Sequence, residues 1–407
     1  MTFYAPRTPY GSASYVRGLL DFTLTEEQTR LREAARDFAT GELTDLAKRL
    51  EADNEPVPRE VVLRMGEHGY LGANVAPAYG GLGLGNFEAL LILEEFAKVS
   101  PAVAFPVFEA CVGPIRVIER FAEAALKLRL APKVCRGRMM ISIAMSEPDA
   151  GSALTDLTTR AVRGRATVTL NGHKRWCSGG GHADGYLVYC RLSDAPGAKG
   201  IGAVYVDAAT PGLSFGPREQ LMGFRGIPSA DIYFDDVTVP DDNVVVPAGG
   251  FKSLMEAFDL ERCGNATMCL GIAQSSLARA LAYVQERRQF GRPVVEFQAV
   301  QLKLADMAMR VEAARLLIYR AIANAAHGFP SVLDSSIAKC FANEMVRQVT
   351  ADAMQVMGGY GYHREFGMEQ RVRDGFGWGI AGGAIDIQKT NIAAALVGRR
   401  FPQRRDG

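Results

Sequence analysis

A carboxylate interrupts an apolar stripe at Glu261. Wound as an α-helix, the segment places Leu254, Phe258, Glu261, Asn265, Met268 and Ile272 on one face. Burial of a carboxylate penalises its charged form and raises its pKa, which prepares a Glu to act as a base near neutral pH. The alternative is structural: Glu261 forms an ion pair with its neighbour Arg262 or with another arginine. Further along the chain, Ser146-Glu147-Pro148-Asp149-Ala150-Gly151-Ser152 follows the apolar run Ile141-Ser142-Ile143-Ala144-Met145. A strand that ends in a small polar loop presents hydroxyls and N–H groups to an anion or a ring edge, but it is also an ordinary strand-to-loop transition. Trp176 and Ser178 sit beside Gly179-Gly180-Gly181. A Trp there can stack on a planar cofactor or belong to the core. Arg287, Arg288 and Arg292 cluster around Phe290-Gly291. Their planar guanidinium forks suit a pyrophosphate, though arginines also complement a helix C-terminus. Gln355-Val356-Met357-Gly358-Gly359-Tyr360-Gly361 brings a backbone close to a ligand or supplies a glycine C-cap. It lacks the glycine spacing of a dinucleotide-binding βαβ unit.

The elements that must hold these residues fall into three zones. Residues 22–137 read as helical. Thr25 and Gln28 form a capping box, helical spacing covers 28–38, 65–71 and 89–99, and Pro77–Gly83 is a loop. Residues 138–247 change to period two, and Gly and Pro recur at short intervals, which predicts an antiparallel, barrel-like sheet. Asn171-Gly172 between two strand-like runs predicts a hairpin turn. Further strands are expected over 186–191, 201–206 and 231–234. Residues 248–400 return to long helices, 251–288, 297–325 and 331–357, suited to an antiparallel four-helix bundle. The last residues are basic, with Arg404 and Arg405, and read as loose.

Composition narrows the function classes. The chain has 407 residues, 48% of them apolar, and 46 Lys+Arg against 45 Asp+Glu give a net charge of +1. That balance argues against general nucleic-acid binding, which needs a basic excess. Seven cysteines are scattered without a paired motif. Five histidines are equally dispersed, so neither a disulfide framework nor a metal site is expected. Residues 1–18 lack the apolar core of a signal peptide, and no run of about 18 apolar residues predicts a membrane span. A reducing, cytoplasmic setting is the expectation.

Taken in order, these landmarks resemble the acyl-CoA dehydrogenase family over nearly the whole chain. The loop at Pro77–Gly83, Ala144 through Ser152, Asn171 through Trp176, Met222-Gly223-Phe224-Arg225-Gly226, Phe234 through Val237, Tyr283 through Gly291, Gln355 through Gly359, and Arg373-Asp374 carry the match. The resemblance implies an α+β multidomain fold with a helical N-terminal domain, a β middle domain and a C-terminal four-helix bundle. It implies FAD, an acyl-CoA substrate, an electron-transfer flavoprotein as acceptor, and a homo-oligomer, usually a tetramer. It places Ser146, Trp176 and Ser178 around the flavin ring. Arg287, Phe290, Gln298, Gln355 and Gly359 line the adenine-diphosphate part, partly across a subunit interface. It places Ser152, Phe258, Arg262 and Gly382 at the substrate.

The chain also departs from the family pattern. The usual base lies in a Tyr-Glu-Gly-Thr motif after the Arg-Asp pair, where this chain has Ala381-Gly382-Gly383-Ala384. Some branches, isovaleryl-CoA dehydrogenase among them, carry the base on the helix that here holds Glu261-Arg262. That combination points to α,β-dehydrogenation with Glu261 as base, and crotonobetainyl-CoA reductase-like proteins combine the same two features. Ala153 replaces an Asp usual after Gly-Ser. Ala-Gly-Gly, the Gly-Ser-Ala loop and the triple glycine also resemble sulfinopropanoyl-CoA desulfinase, which does not need the usual base. Enoyl-CoA reduction and a non-catalytic, DNA-associated flavoprotein are the further alternatives.

Overall fold

The structure is a computed structural model that describes residues 23–325 and 328–401. The basic end at Arg404 and Arg405 and the segment 1–18 lie outside the described residues. Six helices come first: α1 (Glu26–Asp53), α2 (Arg59–Glu67), α3 (Asn86–Val99), α4 (Pro101–Cys111), α5 (Pro114–Phe121) and α6 (Ala124–Cys135). The capping box opens α1 as expected, with Thr25 Oγ1 accepting from the Gln28 amide at 3.2 Å and Gln28 Oε1 from the Thr25 amide at 3.0 Å.

Periodicity did not predict α4 to α6. Pro101 and Pro114 open two of them at the first turn, where a missing N–H costs nothing. All of α4 is buried, so it shows no amphipathic period. The stretch Pro101–Phe121 is long and apolar enough to cross a membrane by composition alone, but 94% of its most apolar 18 residues are packed inside the protein. Its apolar surface is used by the core.

The middle domain holds β1 (Ile141–Ala144), β2 (Arg160–Arg163), β3 (Thr167–Ser178), β4 (Gly185–Arg191), β5 (Ile201–Asp207), β6 (Leu213–Phe215), β7 (Ser229–Pro240) and β8 (Val244–Val246). They form one sheet in the order β6-β7-β3-β2-β4-β5-β8, with β1 added on β4. The sheet is mainly antiparallel, but β1 and β2 both pair with β4 in parallel, so the purely antiparallel expectation is corrected.

The predicted Asn-Gly hairpin is also corrected. β3 runs straight through Asn171 and Gly172, and the pair marks a bulge against β7. Asn171 Oδ1 accepts from the Asp236 amide at 2.9 Å, so the side chain caps the partner strand. At Gly172 a Cβ would stand 2.7 Å from the Thr159 Cα, and that close approach explains the glycine. The turn that joins β2 to β3 lies at Gly164, whose amide donates to the Thr167 carbonyl at 2.8 Å.

The last zone holds α7 (Phe251–Glu286), α8 (Gln298–Ala323), α9 (Val332–Met357), α10 (Gly359–Tyr362), α11 (Met368–Trp378) and α12 (Ile385–Val397). The long helices match the expected positions. Helix α7 packs most extensively on α9 and also on α3, so its middle is buried on nearly every side. A three-way joint locks the zones together. The Phe224 amide donates to Asp374 at 2.7 Å, Arg373 bonds Glu51 at 2.6 Å, and the Gly226 amide donates to Asn54 at 3.0 Å. A Cβ on Gly223 would sit 2.9 Å from the Arg373 carbonyl carbon, so the Met222–Gly226 motif needs its glycine for this contact.

Candidate active site

Where the three zones meet, a cavity of about 1930 Å³ opens, lined by residues from each. That volume exceeds the few hundred to about 1,000 Å³ of an ordinary small-molecule site and has room for a cofactor and a substrate together.

The β wall is set by a buried ion pair. Lys174 Nζ donates to Glu147 Oε1 at 2.8 Å and to the Met145 carbonyl at 2.9 Å. Glu147 also accepts from the Thr158 amide at 2.6 Å and the Thr159 amide at 2.8 Å. Burial pushes its carboxyl up, but Lys174 and these donors outweigh it and hold it down at about 2. The pair fixes the loop after β1 to β3, and the Arg175 amide donates to the Ser146 carbonyl at 2.9 Å.

Ser146, Trp176 and Ser178 all line the cavity. Neither serine hydroxyl has a protein partner among the described residues. A bulge between Lys174 and Cys177 gives Trp176 a φ of 60° and re-aims its side chain, and the Arg175 guanidinium lies 4.3 Å from the ring centroid. Gly179, Gly180 and Gly181 do not open onto the cavity. A Cβ on Gly179 would meet Ser142 Oγ at 2.3 Å and one on Gly180 would meet the Ala230 amide nitrogen at 3.0 Å, so these two glycines serve packing, and Gly181 is called for by its left-handed φ of 73°.

The helical wall carries Glu261, Phe258 and Arg262, and all three line the cavity. The ion pair weighed for Glu261 does not form. Arg262 pairs with Asp259 one turn earlier, and Asp259 accepts from the Ser335 hydroxyl at 2.6 Å. Glu261 has no hydrogen-bond or ion-pair partner among the described residues. Burial raises its carboxyl to about 8, and the more distant charges of Arg262 and Lys339 oppose the shift only in part.

The Gly382 loop lines the same cavity as Glu261. It is held by groups that the sequence reading missed. Lys339 Nζ donates to the carbonyls of Trp378 at 3.2 Å, Ala381 at 3.0 Å and Gly383 at 3.0 Å. It also bonds Asn343 at 3.0 Å, and Asn343 donates to Asn265 at 2.9 Å, which ties the loop to α7. Gly382 has a φ of 64° and Gly383 of 83°, both left-handed. A Cβ on Gly382 would make only ordinary contacts, 3.5 Å to Asn265 and 3.9 Å to Phe258, so the backbone conformation, more than crowding, calls for the glycine. Ser152 lines the cavity from the exposed loop.

Besides the paired Glu147, Glu256 and Asp259, a second unpaired carboxylate, Glu109 on α4, also lines the cavity and was not found by sequence reasoning. Its helix has no period, and one Glu inside an apolar run gave no signal.

The other five expected cofactor residues are elsewhere. Arg287, Phe290, Gln298, Gln355 and Gly359 line no part of this cavity and are exposed. Arg287 lies over Tyr360 at 5.4 Å, which joins the end of α7 to the glycines after α9. Gly358, at a φ of 58°, ends α9 as the glycine C-cap reading foresaw. Phe290 is 93% exposed with a φ of 51°.

Family profiles match three consecutive stretches: the acyl-CoA dehydrogenase N-terminal domain at residues 25–138, the middle domain at 142–237 and the C-terminal domain at 248–397. The chain belongs to the acyl-CoA dehydrogenase family. It is therefore an oxidoreductase of that acyl-CoA-handling family. It is similar to a 3-sulfinopropanoyl-CoA desulfinase of Paraburkholderia xenovorans, 38% identical over 94% of this chain and 99% of that one. Proteins of the same name from three further bacteria are 35–37% identical. In fold it is similar to the butyryl-CoA dehydrogenase of Megasphaera elsdenii, 32% identical, with a TM-score of 0.90 over 93% of this chain and all of that one. A solved FAD-dependent dehydrogenase is 27% identical, with a TM-score of 0.86 over 93% of this chain and 100% of the other. All seven cysteines are free and buried.

Proposed function

We propose that this member of the family is an FAD-dependent acyl-CoA dehydrogenase in which Glu261 removes the α-proton of the thioester. The observation that carries the reading is an unpaired carboxylate with a raised pKa in the cavity, which is also lined by a loop, Ala381–Ala384, that offers no carboxylate of its own. FAD is the cofactor, and the two unpartnered serine hydroxyls and the indole of Trp176 fit its ring. When bound, FAD supplies the hydride acceptor for the β-hydrogen. Glu261 holds the proton at its carboxylate, so one proton and one hydride leave and a C=C bond forms. Lys339, Asn343 and Asn265 tie the Gly382 loop to α7.

The names of the desulfinase relatives favour a second reading, in which sulfite leaves without net oxidation. Arg262 of the helical wall is already paired with Asp259, which weighs against its holding an anionic sulfinate. An anaerobic screen of acyl-CoA thioesters separates the readings. The dehydrogenase bleaches its flavin without releasing sulfite. Sulfite from 3-sulfinopropanoyl-CoA with an unbleached flavin would overturn the assignment.

Arg287, Phe290, Gln298, Gln355 and Gly359 are proposed to complete the adenine-diphosphate site of a neighbouring copy in a homotetramer, which accounts for an almost fully exposed Phe290. Electrons are proposed to pass to an electron-transfer flavoprotein. Arg287→Ala removes a charge-assisted contact worth about 1.5–3 kcal/mol, so FAD retention after dialysis should fall roughly 10- to 100-fold. Unchanged occupancy would remove Arg287 from the cofactor site.

A further inference from the structure

Glu109 is a buried carboxylate for which the dehydrogenation step has no use. It is 8% exposed and belongs to α4, where every other residue is apolar and buried. Its Oε2 is buried without any protein partner. Neither oxygen bonds to a residue among those described. The carboxyl lies between two spaces. One is the large cavity, which it lines beside Phe105 and Phe108. The other is a small void formed with Val62, Leu71, Ile115 and Met139, whose other lining side chains are all apolar. On the third side is Gly113, where a Cβ would come within 3.2 Å of Oε2, so the glycine leaves room for the carboxyl.

A polar atom buried without a partner costs about 1–3 kcal/mol, and a site retains it when something else satisfies it. Of these two spaces only the large cavity, which the acyl chain is proposed to enter, has other polar residues in its lining. Burial, reinforced by the charge of Glu261, raises its carboxyl well above the usual carboxylate range, so it faces the cavity as a neutral acid that both donates and accepts.

We propose that Glu109 determines acyl specificity by bonding an uncharged polar group, a hydroxyl or a carbonyl, carried by the acyl chain beyond its β-carbon. This rests on the dehydrogenase reading above. A plain hydrocarbon leaves the acid unsatisfied in a dry pocket, and burying an anionic chain end beside Phe105 and Phe108 costs far more than burying an uncharged one. A chain with a hydroxyl in reach satisfies it and keeps its methylenes against Phe105 and Phe108.

The test uses the FAD-loaded protein and straight-chain acyl-CoA thioesters of roughly four to eight carbons, each paired with its ω-hydroxy counterpart. Anaerobic flavin bleaching at limiting thioester gives a preference ratio for each pair. For at least one chain length the wild type should prefer the hydroxy member by about tenfold, the size of one well-made hydrogen bond. In Glu109→Leu, which keeps the volume and removes the polar group, that ratio should fall to one or below. In Glu109→Gln, which still donates and accepts, it should persist. Ratios near one for every wild-type pair overturn the proposal, even if the leucine variant does not fold. An equal loss for both members of a pair in Glu109→Leu also overturns it, because Glu109 would then act on Glu261 and not on the chain. If no thioester of the panel bleaches the flavin and 3-sulfinopropanoyl-CoA added alongside releases sulfite, the dehydrogenase reading itself fails, a result distinct from either of these.

Discussion

Glu261→Gln should bind FAD normally and lose acyl-CoA-dependent flavin bleaching by roughly 100- to 10,000-fold, the usual contribution of a positioned base. The amide fills the same volume and carries no basic lone pair, and Glu261 forms no hydrogen bond on which the fold depends. The wild-type pH profile provides an independent check. Burial raises the carboxyl from 4.5 to about 8, and the base works only when ionised. The bleaching rate at limiting thioester should therefore rise about tenfold per pH unit up to pH 8 and level off above it. At pH 6 about one site in a hundred is ionised. A variant that bleaches at the wild-type rate, or a profile flat from pH 6 to 9, would exclude Glu261 as the base.

The largest stability effect is expected at Lys174. Its side chain is fully buried against Glu147, and the two have no solvent to fall back on. Lys174→Met leaves a buried carboxylate without its cation and should cost about 3–5 kcal/mol, read as a lower melting temperature and as earlier release of FAD on heating. Adding Glu147→Gln removes the stranded charge and should recover at least half of the loss. The pH dependence has a definite sign. The folded pKa of Glu147 lies near 2, below its ordinary 4.5, so the pair contributes its stability above pH 4.5 and loses it as the pH falls toward 2. The single variant should show less acid destabilisation in that window. A single variant as stable as wild type would show that the pair does not brace the β wall.

How much of this was legible in the sequence depended on whether the signal was local. Thr25 and Gln28 announced α1 because a capping box needs four residues and nothing else. The long helices of the last zone were legible because their apolar period is long. Helix α4 was not, because complete burial erases a helix period. Asn171-Gly172 misled for a related reason. The same dipeptide that forms a tight turn also fits a bulge, and the approach of Thr159, just before β2, decided between them.

The site divides along the same line. The sequence by itself determined the family, the three-zone order, the loss of the usual base at Gly382 and the presence of a carboxylate on an apolar face at Glu261. Each is a statement about residue types at fixed spacing. Only the tertiary structure decided that Arg262 turns to Asp259 and leaves Glu261 unpaired, that Lys339 gathers three carbonyls of the Gly382 loop, and that Glu109 enters the same cavity from α4. The reason is desolvation. Whether a carboxylate is a base, an ion-pair partner or a neutral acid depends on what surrounds it in three dimensions. For Glu261 and Glu109 those surroundings come from segments about 150 residues apart in the chain.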